Sequence, residues 1–198
     1  DAKPNSSRIQ QISPDSFSSI SNLNNPDYLY KSYYEALTSD KQQRKLWALF
    51  NFSKAAQRDK NLLNLFTHVC QYFESKEQIV EYNAVMCATE VSKIYGPQIV
   101  KILFPHLLKR LNSFPSIEYL TCLKNLLPSI DFIEIKKILF PMVIEFMKAG
   151  EQYQHAGGTI LCSLPLTKIG MTPEILDILL SSPIFIANYF SPIINNLS

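Results

Sequence analysis

From Pro26 onward the apolar residues recur at three- and four-residue steps, the spacing of one helix face. Asn25-Pro26-Asp27 opens a first helix carrying Leu29, Tyr33, Ala36 and Leu37 on that face, and Thr38-Ser39-Asp40 interrupts it. Leu46, Leu49, Phe50 and Phe52 give a second helix an apolar face, with Trp47 beside it as a packing anchor. A third helix runs from Leu62 to Phe73. Ser75 and Gln78 then fit a capping box, starting a helix that lasts to about Ile94. Gly96-Pro97 stops that helix and starts one from Ile99 to Leu111. Ser116 caps Ile117 to Leu127, and Asp131 with Glu134 makes a second box before a helix ending at Ala149-Gly150. Tyr153 to Leu164 is helical; Thr172-Pro173-Glu174 opens a helix to Leu180, and Ser182-Pro183 opens the last. Residues 1–25 break the pattern: seven of the first 21 are serine, no period survives, and a flexible, unmodified tail is expected, although Ser13-Pro14 matches the site of a proline-directed kinase.

The helices alternate in pairs. Leu29, Leu65, Leu103 and Leu139 fall at matching places in the first helix of each pair, separated by 36, 38 and 36 residues. A period near 40 with two helices per unit predicts an all-α chain, an α-solenoid of about five HEAT-like helix pairs over residues 26–198. The pentapeptide Lys-Ile-Leu-Phe-Pro occurs twice, at 101–105 and 137–141. Its leucine and phenylalanine are expected to pack between units. Its proline cannot donate to the carbonyl four residues back, so each helix should bend there. The apolar end, with Phe190, Ile193, Ile194 and Leu197, predicts further repeats or a partner beyond it.

Composition narrows the chemistry. Lysine and arginine number 19 against 17 acids, with no basic run, which speaks against nucleic acid and anionic membrane as partners. No uninterrupted apolar stretch is long enough to span a bilayer. The four cysteines, at 70, 87, 122 and 162, form no CxxC pair and sit in apolar helical stretches. They read as buried small side chains of a reducing compartment, the cytoplasm with the nucleus as an alternative. Gly157-Gly158, inside a helical stretch, implies close approach of two helices. His68, His106 and His155 lack metal-ligand spacing with any acid or cysteine. No phosphate loop, nucleophile elbow or nucleophile–base pair appears, so neither an enzyme, nor a cofactor, nor a small-molecule substrate is expected.

Several local stretches carry a resemblance. Tyr34-Glu35-Ala36-Leu37-Thr38-Ser39-Asp40 followed by Arg44, Tyr95-Gly96-Pro97 followed by Val100 and Leu103-Phe104-Pro105-His106-Leu107, and Phe140-Pro141-Met142-Val143 before the Ala149-Gly150 break occur in matching order and spacing. From Pro26 to about Gly170 the chain resembles the N-terminal repeats of the HEAT-repeat scaffolding A subunits of protein phosphatase 2A. The resemblance implies a non-catalytic scaffold whose turns, joining the two helices of each repeat, form a ridge for regulatory subunits, with the catalytic subunit on later repeats. Carried onto this chain, the ridge comprises Asp40, Lys41 and Arg44; Glu74, Lys76 and Glu77; Ser116, Glu118 and Tyr119; and Glu151, Gln152 and Tyr153. The fourth turn departs from the family, which carries a Trp-Phe pair and an arginine where this chain has Gln152, Tyr153 and Ala156. A second reading is a HEAT-repeat module that binds tubulin or belongs to a transport receptor, with Trp47, Lys41, Arg44, Lys45 and Lys76 as its contacts. The acidic residues Glu74, Glu77, Glu118 and Glu151 oppose docking on an acidic protein.

Overall fold

The computed structural model describes residues 26–170 and 172–197, and the expected tail at 1–25 lies outside them. Among the described residues the chain is all-helical, with no strand. Helix α1 (Pro26–Leu37) packs on α2 (Gln42–Arg58). The third predicted helix is composite: 3-10 turns over Lys60–Leu65 and Tyr72–Glu74 flank a short α3 (Phe66–Gln71). Helix α4 (Gln78–Ser113) follows, then α5 (Ile117–Leu126) with a closing 3-10 turn at Leu127–Ser129. Helix α6 (Phe132–Glu134) passes through a π segment (Ile135–Leu139) into α7 (Phe140–Lys148), which packs on α8 (Glu151–Leu161). Short helices α9 (Leu166–Ile169), α10 (Pro173–Leu180), α11 (Pro183–Asn188) and α12 (Phe190–Leu197) complete the chain. The expected last helix is thus two, parted at Tyr189 (φ −124°, ψ −16°).

The four matched leucines are all buried, and other buried positions recur at the same spacing. In the first helical segment of four successive pairs the buried positions include a matching set: Leu29, Tyr33 and Leu37; Leu65, Phe66, Val69 and Phe73; Leu103, Phe104, Leu107 and Leu111; and Leu139, Phe140, Val143 and Met147. Tyr30, half-buried against the core, takes the place of Phe66, Phe104 and Phe140. Each segment thus turns one stripe inward at steps of one, three and four residues, the pattern of a helix buried along one face. Gly157 and Gly158 mark the expected close approach. A methyl group on Gly157 would meet Met147 Sδ at 2.8 Å, and one on Gly158 would overlap the Tyr189 ring.

Local details differ from expectation. Phe50 does not join the core: it is 74% exposed. The helix boundary expected at Gly96-Pro97 is a kink inside α4, with Tyr95 alone outside helical dihedrals (φ −123°, ψ 23°). Backbone dihedrals stay helical through Pro105, and the helix continues past it. Ser75 does not cap α4. Glu77 occupies that place, and Ser75 Oγ accepts from the Glu77 N–H at 3.1 Å. Ser116 does stand at the α5 cap position, but its hydroxyl donates to Glu118 Oε2 (2.6 Å) and caps no backbone N–H. Asp131 caps as expected, accepting from the Ile133 N–H at 2.7 Å.

Candidate interaction surface

Polar contacts link the turns read as a ridge. Lys45, in the first turn of α2, reaches Glu77 of the next turn at 3.4 Å and places its ammonium 5.6 Å from the centre of the Tyr72 ring. Glu74 of that second turn pairs with Lys109 near the end of α4 at 2.5 Å. Gln152 of the fourth turn donates through Nε2 to the Pro115 carbonyl of the third at 3.5 Å. Four turns remote in sequence therefore contact one another in chain order.

Tyrosine hydroxyls bind this series together. The last carbonyls of a helix lack an intrahelical partner and need another donor. Tyr72 donates to the Leu37 carbonyl at the end of α1, and Tyr95 to the Ala56 carbonyl near the end of α2 at 3.1 Å. Tyr119 faces the Phe73 carbonyl at 3.2 Å, and Tyr153 the Asn112 and Ser113 carbonyls at 3.3 Å each. Each of these hydroxyls reaches back about one unit along the chain.

This geometry sorts the predicted site residues. Asp40, Lys41, Arg44, Glu74, Lys76, Glu151 and Gln152 are exposed. Glu77, Ser116, Glu118 and Tyr153 are half-buried and engaged internally: Glu77 by Lys45, Ser116 and Glu118 by each other, and Tyr153 by the Asn112 and Ser113 carbonyls. Tyr153 stacks edge-on against Phe146, with ring centres 5.2 Å apart. Tyr119 is not a surface residue. It is 2% exposed, its ring meets Phe73 at 5.4 Å, and its hydroxyl donates to Glu81 Oε1 at 2.7 Å. The aromatic ring belongs to the core, so Tyr119 drops out of any partner surface. Burial, then the hydrogen bond to Glu81, pushes its phenol well above the ordinary range.

Sequence reasoning missed the group around Tyr119. Arg110 donates to Glu81 Oε1 through Nη2 (2.5 Å) and Nε (3.1 Å), and its guanidinium lies over the rings of Phe114 and Tyr119. Glu81 and Arg110 are 29 residues apart, so no local motif announces the pair. Only the repeat period, which places the start of one second helix beside the end of the next first helix, hints at it.

Two concavities bear on chemistry. A groove of about 780 Å³ between the ends of α5 and α8 is lined by Lys124, Thr159, Cys162, Ser163, Lys168 and Tyr189 with apolar neighbours, and by no carboxylate or histidine. Beside it His155 Nδ1 meets the Tyr189 hydroxyl at 3.2 Å, while Glu151 stands 3.9 Å from His155, beyond hydrogen-bond reach. The second, a notch of about 280 Å³ on the ridge, contains Glu74. Lys109 holds the Glu74 carboxylate below its ordinary range, with His106 and Arg110 adding to the effect. A carboxylate shifted downward is a weaker base, the wrong direction for general acid–base work near neutrality. Burial raises the thiols of Cys70, Cys87 and Cys122, the last to about 12, which leaves them poor nucleophiles. Among the described residues no helix is long and apolar enough to cross a membrane, and no cluster suited to a metal ion occurs. In comparisons with known proteins, no family model, no curated protein and no solved structure matches the chain.

Proposed function

We propose that this chain is a non-catalytic scaffold, a HEAT-like α-solenoid that binds protein partners through the turns joining its paired helices, in the manner of a phosphatase 2A A subunit. The observation that carries the reading is the buried frame repeated over four units, from Leu29 to Met147, with the intervening turns in mutual contact. A repeated core of this kind stacks units that cannot bury their apolar stripe alone. It leaves those turn residues that make no internal contact to vary with little cost to folding. The side chains available to partners are then Asp40 and Lys41 on the first turn, Lys76 on the second, and Glu151 and Gln152 on the fourth, all exposed.

The test is capture of partners by the immobilised full chain, read by mass spectrometry, against an Asp40→Lys/Glu151→Lys variant. Glu77 is a poor choice for reversal, since that change would also break its contact with Lys45. Phosphatase regulatory or catalytic subunits, held by the wild type and lost by the variant at unchanged thermal stability, are the expected result. Retention of all partners by the variant overturns the ridge, and capture without any phosphatase subunit overturns the phosphatase assignment.

A further inference from the structure

The notch on the ridge has a composition that specifies a ligand. Its lining is Glu74, Ser75, Lys76, Lys109, Arg110 and Ser113: three cations, two hydroxyls and one carboxylate. At about 280 Å³ it is smaller than the usual site for a drug-sized molecule and suits a single charged side chain. Its donors are unevenly committed. Arg110 gives Nε and Nη2 to Glu81, and Ser113 donates to the Lys109 carbonyl at 3.1 Å. Ser75 accepts from the Glu77 N–H, so its own O–H is left to donate, and Lys76 is exposed at the rim.

The notch already holds an anion, and that anion is the chain's own. Glu74 lies 2.5 Å from Lys109, and the pair is largely open to water, at 52% and 67% exposure of the side chains. An exposed ion pair of this kind is screened by water and weakly held, so it opens readily. The depressed Glu74 carboxyl reports a positive field from Lys109, His106 and Arg110 together. A phosphoryl group brings about −1.5 to −2 charges and three acceptor oxygens, more than one carboxylate can offer to the same donors.

We propose that this notch binds a phosphoserine side chain of a protein partner, with Lys109 exchanging Glu74 for the phosphoryl group and Lys76 and Ser75 completing its contacts. The proposal rests on the reading of the turns as the partner surface and names the chemistry that one turn takes. Glu74 acts as an internal competitor, which sets the affinity and rejects weaker anions.

The experiment uses the full chain and a fluorescein-labelled phosphoserine peptide with glycine and alanine flanks, followed by anisotropy and by amide chemical shifts. The phosphopeptide is expected to bind at least about tenfold more tightly than its unphosphorylated twin, shifting the amides of Ser75, Lys76, Lys109 and Arg110. Lys109→Ala should weaken binding about tenfold or more, and Lys76→Ala several-fold. Glu74→Gln should tighten it several-fold, a gain that a merely structural role for Glu74 would not produce. Equal binding of the two peptides, or a Glu74→Gln variant that binds no better than wild type, overturns the proposal. Inorganic phosphate binding as tightly as the peptide reduces the notch to a general anion site and overturns the peptide assignment. Should the peptide fail while Asp40→Lys/Glu151→Lys still strips partners from the chain, only the notch falls. Should it bind while those partners persist, only the broader ridge reading falls.

Discussion

The two copies of Lys-Ile-Leu-Phe-Pro, at 101–105 and 137–141, bury the same side chains on different backbones. Leu103 and Phe104 match Leu139 and Phe140, and the frame extends in both directions, Ile99 to Ile135 and Leu111 to Met147. Yet the first copy lies in regular α-helix, and the second straddles a π segment with the Phe140 N–H bonded to the Ile135 carbonyl. The difference tracks how each helix begins. Six residues before the first copy stands Tyr95, buried and bonded through its hydroxyl to Ala56, so a tertiary contact fixes the entry. Six residues before the second stands Asp131, a side-chain cap followed by exposed Phe132 and Ile133. The proline in each copy strains the turn before it. The second helix widens that turn, as π segments do. The side chains that reach the core are set by packing, and the hydrogen-bond register yields to them.

The largest effect should come from the shared leucine. Leu103 and Leu139 are both fully buried, and replacing either with alanine is expected to cost about 2–5 kcal/mol in urea denaturation. Equal losses would make the two units energetic equivalents despite their backbones. A loss under about 1 kcal/mol at Leu139 alone would show that the widened turn lets its site collapse, and would break the equivalence.

The turns after the two copies sharpen the contrast. Tyr119 and Tyr153 are each the third residue of the helix that follows, and each hydroxyl reaches back to the end of an earlier first helix. Tyr119 is buried and bridges Phe73 and Glu81, whereas Tyr153 is half-buried. Tyr119→Phe should therefore cost about 1–3 kcal/mol, because a buried acceptor loses its donor. Tyr153→Phe should cost less than about 1 kcal/mol, because water replaces the hydroxyl. Comparable losses at both would mean that the fourth turn is as dry as the third.

The prolines give a smaller difference of opposite sign. Alanine at 105 supplies an N–H to the Lys101 carbonyl within unchanged helical dihedrals, and a gain of about 1–2 kcal/mol is expected, below the full helix-interior penalty of proline. Alanine at 141 should change stability by less than about 0.5 kcal/mol, since the π turn has already relieved the clash and proline restricts the unfolded chain. A large gain at 141 would show instead that the π segment is strained.

How much of this could be read in advance follows from the range of each interaction. The helix positions, the four matched leucines and the two close-packed glycines rest on local spacing, and the sequence displays them. The exposure of Asp40, Lys76 and Glu151 follows from turn position alone. Tyr119 was misassigned because its partners, Phe73, Glu81 and Arg110, lie up to 46 residues away in sequence. The π segment was invisible for a related reason: the pentapeptide is the same in both copies, and what differs is the entry, a long-range contact through Tyr95 in one and a side-chain cap at Asp131 in the other. Phe50 escaped because helical spacing alone does not say which of two flanking faces a neighbour will cover.

The least effect on stability, and a distinct readout, comes from the thiols of the second helices that follow the two copies. Cys122 in α5 is buried, with its pKa pushed up to about 12 by burial, despite opposing hydrogen bonds from Thr89 and Ser92. Cys162, at the end of α8, is half-buried and lines the larger groove; burial raises its thiol, and Lys124 partly offsets the rise. The thiolate is the reacting form, so a raised pKa lowers reactivity at fixed pH and moves the reactive range upward. With a disulfide reagent at pH 8, one of the four thiols should react in the folded chain, slowly, and faster as pH rises past the ordinary thiol range. Cys70, Cys87 and Cys122 should wait for unfolding, at a rate that Leu103→Ala and Leu139→Ala both increase. Early reaction of Cys122 beside Cys162 would show that the third unit opens as readily as the groove at the fourth. The two copies would then differ in backbone and not in the solidity of the units they build.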